Sequence, residues 1–338
     1  MSRVFTEAAT ARLLKFLADN NQKPEIEVLT PDASTREYFR VMWKHKPAIA
    51  CVYAEGFKAA EHSYLDVTAL FLAGGLPVAE VYKFDESLGI VIQEDFGDVI
   101  LRDFLQQSDE PTCDELLNRS IGLIARIQAA TPDAYARNSI ASRLKFDEEK
   151  LLWELIFFKT HYFKTLRRTE LSDADEQTLN EEFYAIAAEL AARAEVLCHR
   201  DFHTANLMLD KAKRLRIIDH QDARIGTTSY DLVSLLLDRV TETPAKIWLD
   251  DKKNYFLNER LRCGLKPLDG TDFEKEFCLQ TVQRGLKAVG TFSFQSVNRG
   301  KTYFVPFIEP MLIIVLEACQ SLRRFPHLQT IIERSLNS

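Results

Sequence analysis

The sequence predicts an α+β protein in two parts: a small antiparallel sheet near the N-terminus and a larger, mainly helical region after it. Three observations carry this. Strand-type runs concentrate in the first hundred residues, amphipathic helical spacing takes over from Leu101, and the composition changes at Glu94-Asp95-Phe96-Gly97-Asp98. The boundary is placed there, giving parts of residues 1–95 and 96–338. A chain of 338 residues is long enough for two such parts, each with its own core.

Residues 6–18 read as a helix with apolar positions at Ala9, Leu13, Leu14 and Leu17. Val28-Leu29, Tyr38 to Met42, Ile49 to Tyr53 and Gly89 to Gln93 are short apolar or β-branched runs bounded by Pro, Gly, Asp and Lys, and four or five such strands make one antiparallel sheet. Between them, Ala59 to Leu72 has helical spacing and stops at Gly74-Gly75. Asp114 to Ala130, Glu148 to Leu166 and Asp175 to Arg193 are the long helical stretches of the second part.

Composition narrows the function. With 46% hydrophobic and 28% charged residues the chain is ordinary globular protein, and a net charge of -7 gives no basic excess to meet nucleic-acid phosphates or anionic lipid. Six cysteines are scattered without a C-x-x-C pair, so reduced thiols are expected. Charged residues appear almost at once after Met1, and the most apolar stretch, Phe304 to Leu316, is interrupted by Pro306, Glu309 and Pro310 and reads as too short to span a bilayer. A cytoplasmic location is expected.

The chemistry is concentrated in Val196 to Asp210 and Leu215 to Asp222. Asn206 to Leu209 and Leu215 to Asp219 are apolar runs joined by Asp210-Lys211-Ala212-Lys213-Arg214, which reads as a β-hairpin whose ladder sets Asn206 opposite Asp219. An amide oxygen beside a carboxylate suits Mg²⁺, which takes hard oxygen ligands together with substrate phosphates. Asp201 enters the same hairpin and is a second carboxylate that can receive a proton. The order His199-x-Asp201-x-x-x-x-Asn206, then an apolar strand ending in Asp219, matches the catalytic-loop and metal-binding logic of kinases.

From His199-Arg200-Asp201-Phe202-His203 through Ile218-Asp219-His220-Gln221-Asp222 to Tyr230-Asp231-Leu232, the chain resembles the aminoglycoside phosphotransferase family, closest to its branch of bacterial anomeric kinases of N-acetylmuramate and N-acetylglucosamine. The resemblance implies a two-lobed, protein-kinase-like fold with a nucleotide-binding N-terminal lobe and a catalytic C-terminal lobe. It implies ATP and Mg²⁺, Asp201 as catalytic base, Asn206 and Asp219 as magnesium ligands, and a small-molecule hydroxyl acceptor in cell-wall sugar recycling. His199 and Asp231 would be structural, Asp231 bracing the catalytic loop. Asp222 could face the substrate.

One departure stands out: the strand Ile49 to Tyr53 has no lysine to hold the ATP phosphates. Arg36, Arg40 or Lys58 could replace it, with Ser34 and Thr35 cradling phosphate in the absence of a glycine-rich loop. Glu61 could pair with an arginine. Gln93, Glu94 and Asp95 would present backbone to the nucleobase. In the late segment Gln283 to Gln295, followed by Arg299 and Lys301, basic, aromatic and amide side chains suit a neutral or anionic acceptor, and Arg284 and Arg299 are the candidate contacts. The competing readings are a kinase of choline or an aminoglycoside, and a nucleotide-binding pseudokinase.

Overall fold

The computed structural model describes residues 2–29 and 36–337. The chain divides into two compact units, Met1–Asp109 with Thr204–Asp222, and Glu110–His203 with Ala223–Ser338.

The first unit is built on a five-stranded antiparallel sheet of order β1-β2-β3-β5-β4, with β1 at Ile26–Leu29, β2 at Glu37–Trp43, β3 at Lys46–Val52, β4 at Val81–Asp85 and β5 at Ile90–Glu94. Period-two alternation decides its faces. Phe39, Val41 and Trp43, with Ala48, Ala50, Val52, Ile90 and Ile92, bury one face against Ala9, Leu13, Phe16 and Leu17 of the helix Ser2–Asp19. Phe16, stacked on Trp43 at 5.7 Å, takes the core position expected for Leu14, which is only half-buried. The other face carries Tyr38, Cys51 and Val91 beside Tyr64 of the helix Ser63–Ala73. That helix begins one turn later than its periodicity suggests, because His62 caps it by accepting from the Leu65 amide at 3.4 Å. β4 gives no apolar run in the sequence, because it is an edge strand whose side chains are half-buried or exposed.

Also in the first unit, Val99–Ile100, Leu207–Leu209 and Leu215–Ile217 form a three-stranded antiparallel sheet with Leu207–Leu209 in the middle. The hairpin is present, but its register differs from expectation by one residue. Leu207 pairs with Ile217 and Leu209 with Leu215, so Asn206 lies opposite Ile218, whose amide donates to the Asn206 carbonyl at 3.1 Å. The turn is the cause. Asp210 accepts from the amides of Ala212 and Arg214 at 2.9 and 3.0 Å, and Lys213 is left-handed at φ 57°, which centres the turn on Ala212.

The second unit is helical around Gly270–Asn298, which packs on Glu148–Lys159 and Ile308–Leu322. Two glycines permit this approach: a Cβ at Gly285 would lie 2.5 Å from Val315, and one at Gly290 2.7 Å from the Phe158 backbone. The apolar segment expected to be too short for a bilayer lies in a 21-residue helical run, Thr302–Leu322, long and apolar enough by composition to cross one. Its prolines do not interrupt it: Pro306 lies inside the short 3-10 segment Thr302–Phe307, and Pro310 in the first turn of the helix Ile308–Leu322, where its missing N–H costs little. Phe304, Ile308, Met311, Leu312, Val315 and Cys319 from that run are in the unit's hydrophobic core with Phe158, Leu286 and Val289.

Candidate active site

In the second unit, Val196–Cys198 pairs with Arg224–Gly226 and delivers the loop His199-Arg200-Asp201. The loop is fixed by Asp231, wholly buried in the first turn of the helix Tyr230–Leu237, whose carboxylate accepts from the His199 amide at 2.6 Å and the Arg200 amide at 3.0 Å. Burial pushes the Asp231 carboxyl above its ordinary value, against the pull of His199 and of those two amides. His199 is buried and its ring meets Phe202 edge-on. Arg200 is left-handed at φ 88°, an uncommon conformation for a side-chain-bearing residue, held here by Asp231.

Asp201 lies among cations. Lys287 Nζ is 3.5 Å from its carboxylate, Arg200 Nε 3.6 Å and an Arg284 nitrogen 3.9 Å. Burial works against ionisation, but Lys287, Arg200 and Arg284 together overcome it and hold Asp201 far below the usual carboxylate range. His203 is pulled below its ordinary value by burial, despite Asp238 and Asp201.

In the first unit, Asp219 follows the strand Leu215–Ile217 in a left-handed conformation, φ 62°. That turn, and not the ladder, brings its carboxylate to Asn206, whose Nδ2 donates to it at 3.4 Å; Gln221 Nε2 donates to the other oxygen at 2.7 Å. Both residues line a cavity of about 280 Å³, with Arg36, Tyr53, Gln93 and His220 also on its wall. Among the described residues Asp219 has no ion pair with Lys or Arg, and no three His, Cys, Asp or Glu side chains converge on one point. Two hard oxygen donors fit Mg²⁺, whose remaining positions phosphate oxygens and water normally fill.

The nucleotide-side candidates separate. Arg36 lines the cavity, its guanidinium 5.7 Å over the Tyr53 ring. Arg40 is engaged elsewhere, in ion pairs with Asp95 at 2.7 Å and Asp98 at 2.6 Å. Gln93 is on the cavity wall, while the Glu94 carboxylate accepts from Arg216 at 2.5 Å and its amide donates to the Glu80 carbonyl at 2.9 Å. Ser34 and Thr35 lie outside the described residues. Lys58 and Glu61 pair with each other, exposed, at 3.3 Å.

On the acceptor side, Arg284 donates to the Arg200 carbonyl at 3.2 Å, Tyr230 Oη at 2.8 Å and Ser234 Oγ at 2.6 Å. It ties the loop His199-Arg200-Asp201 to the helix through the Arg200 carbonyl. Arg299 is exposed at the far end of the same helix, roughly 20 Å along the axis, over Phe294. Asp222 is half-buried at the last position of the first unit. Sequence reasoning missed Lys287 and His220. Lys287 was detectable as the i+3 neighbour of Arg284 on one helix face, whereas His220 gave no signal of its own.

A family model described as the phosphotransferase enzyme family matches residues 25–265. The chain belongs to that family. It is a small-molecule kinase with a kinase-like α+β fold. Among its relatives, an N-acetylmuramate/N-acetylglucosamine kinase of Neisseria meningitidis is 30% identical over 282 residues, covering 83% of this chain and 81% of the relative. A kinase of the same name from Caulobacter vibrioides is 26% identical over 318 residues, 88% of this chain and 80% of that one. The crystal structure of a choline kinase from Streptococcus pneumoniae superposes with a TM-score of 0.58 over 90% of this chain and 98% of its own, at 13% identity, a likeness of fold.

Proposed function

We propose that this kinase transfers the γ-phosphoryl group of ATP, with Mg²⁺, to a hydroxyl of N-acetylmuramate or N-acetylglucosamine, the anomeric one, in the recycling of cell-wall sugars. The observation that carries the reading is a catalytic loop of the kinase type in a chain 30% identical to a kinase of those sugars. Residues 1–95 act as the nucleotide lobe and 96–338 as the catalytic and acceptor lobe.

Asp201 receives the acceptor hydroxyl. With its pKa held far down it is a weak base, so its main task is to orient the hydroxyl and take the proton late, which suits a loose phosphoryl-transfer transition state. Asn206 and Asp219 are the residues to hold Mg²⁺, which when bound neutralises phosphate charge. Arg36 is the cation for the nucleotide phosphates, since Arg40 is committed to Asp95 and Asp98. Gln93 borders the nucleotide cavity. Asp222, Arg284 and Arg299 were candidates for the acceptor; Lys287 is better placed than these to meet a lactyl carboxylate, because its ammonium is already beside the base.

Three cations within 4 Å of Asp201 argue against a cationic acceptor such as choline or an aminoglycoside, which would face like charge at the base. Intact Asp201, Asn206 and Asp219 argue against a pseudokinase. The test is phosphate transfer from ATP, followed by ³¹P NMR, with N-acetylmuramate, N-acetylglucosamine, choline and kanamycin as acceptors. An acid-labile sugar 1-phosphate is expected. A phosphate ester at another hydroxyl would overturn the anomeric assignment, and transfer only to choline or kanamycin would sink the sugar reading.

A further inference from the structure

Protein kinases set the ATP phosphates against the rest of the site through an ion pair between a lysine on the third strand and a glutamate on the following helix. That pair has no counterpart here. β3 is Lys46-Pro47-Ala48-Ile49-Ala50-Cys51-Val52, whose only lysine is at its exposed start, and the helix Ser63–Ala73 presents Tyr64, Thr68 and Phe71, at i, i+4 and i+7, as one buried face.

That face is occupied by His220, the residue directly after Asp219. His220 is 1% exposed, its Nε2 is 2.7 Å from Thr68 Oγ1, and its ring packs against Tyr64 at 5.1 Å and Phe71 at 5.5 Å between centroids. The peptide joining Asp219 to His220 is planar, so fixing the imidazole limits Asp219 to few backbone conformations. Asp219 calls for such a restraint, because it is left-handed, an unfavourable conformation for a residue with a Cβ, and it is in that conformation that it meets Asn206.

We infer that Thr68 and His220 form a latch through which the helix Ser63–Ala73 positions the Asp219 carboxylate, in place of the lysine–glutamate pair. His220 is thus a positioning residue acting through its neighbour. The inference rests on the reading of Asn206 and Asp219 as metal ligands.

The test is binding of Mn²⁺ in the presence of ADP, by electron paramagnetic resonance, together with turnover, for the wild type and the variants Thr68→Val and Thr68→Ser. Valine keeps the shape and removes the hydroxyl, whereas serine keeps the hydroxyl. The valine variant should bind Mn²⁺ about ten-fold or more weaker and lose kcat in proportion, with KM for the sugar unchanged, as for outer residues that orient metal ligands. The serine variant should stay near wild type. If valine at 68 leaves Mn²⁺ affinity and kcat intact and lowers only the melting temperature, the pair is ordinary core and the latch is wrong. A wild type that binds ADP but no Mn²⁺ overturns the metal reading and the latch with it. Should the valine variant not fold, Thr68→Cys makes the same comparison with a near-isosteric, weak hydrogen-bonding group.

Discussion

Asp201 in the second unit and Asp219 in the first are both loop carboxylates at the ends of short strands, yet they are held by opposite means. Asp201 has Lys287, Arg200 and Arg284 within 4 Å, and its charge is balanced by the protein itself. Asp219 accepts from two neutral amides, those of Asn206 and Gln221, and among the described residues no Lys or Arg forms an ion pair with it. Under the proposed mechanism, these surroundings sort two chemically equivalent side chains into base and metal ligand. Cations are placed differently in the two units: three surround one carboxylate in the second, while in the first Arg40 pairs with Asp95 and Asp98 and Arg36 lines the cavity.

The largest effect that sharpens this contrast is expected from Asp201→Asn, which keeps shape and removes the base. Turnover should fall on the order of 10³-fold, with ADP binding and the circular dichroism spectrum unchanged. A variant with near wild-type turnover would break the assignment.

Next in size is Arg36→Ala, expected to weaken ADP binding by roughly 10-fold or more in calorimetry, as befits loss of a charge-assisted phosphate contact. Arg40→Ala should leave ADP affinity within two-fold and lower the melting temperature slightly, since its ion pairs are partly exposed. Equal losses of affinity in both variants would erase the distinction between the two arginines.

Lys287→Met should cost about 10-fold in kcat/KM and, more tellingly, move the acid limb of the pH profile upward. The sign follows from Asp201, whose folded pKa is depressed. Any stability tied to its ionised form is present above the unfolded value, near 4, and is lost as pH falls toward the folded value. Removing Lys287 raises the folded value, so protonation and loss of activity begin at a higher pH. An unmoved acid limb would show that Arg200 and Arg284 suffice.

Much of the candidate site was legible because kinase chemistry needs particular side chains at short spacings along one strand–loop–strand segment, and the candidates His199, Asp201, Asn206, Asp219 and Asp231 all fall between residues 199 and 231. The sheet was legible because alternation in β2, β3 and β5 is enforced by burial on one face. Less legible were features set by single backbone angles. The hairpin register shifted by one because Asp210 and Lys213 reshape the turn, and Asp219 recovers its place beside Asn206 through a left-handed φ that no periodicity announces.

By itself, then, the sequence determined the order of elements, the candidate catalytic side chains and the lack of a lysine between Ile49 and Tyr53, because these are properties of local pattern and composition. Only the tertiary structure decided which cations face which carboxylates. Lys287 is 86 residues from Asp201, Thr68 is 152 from His220, and Arg40 is 55 from Asp95. Contacts across such distances along the chain are fixed by helix packing and strand pairing, and the charge balance of the site is a consequence of that packing.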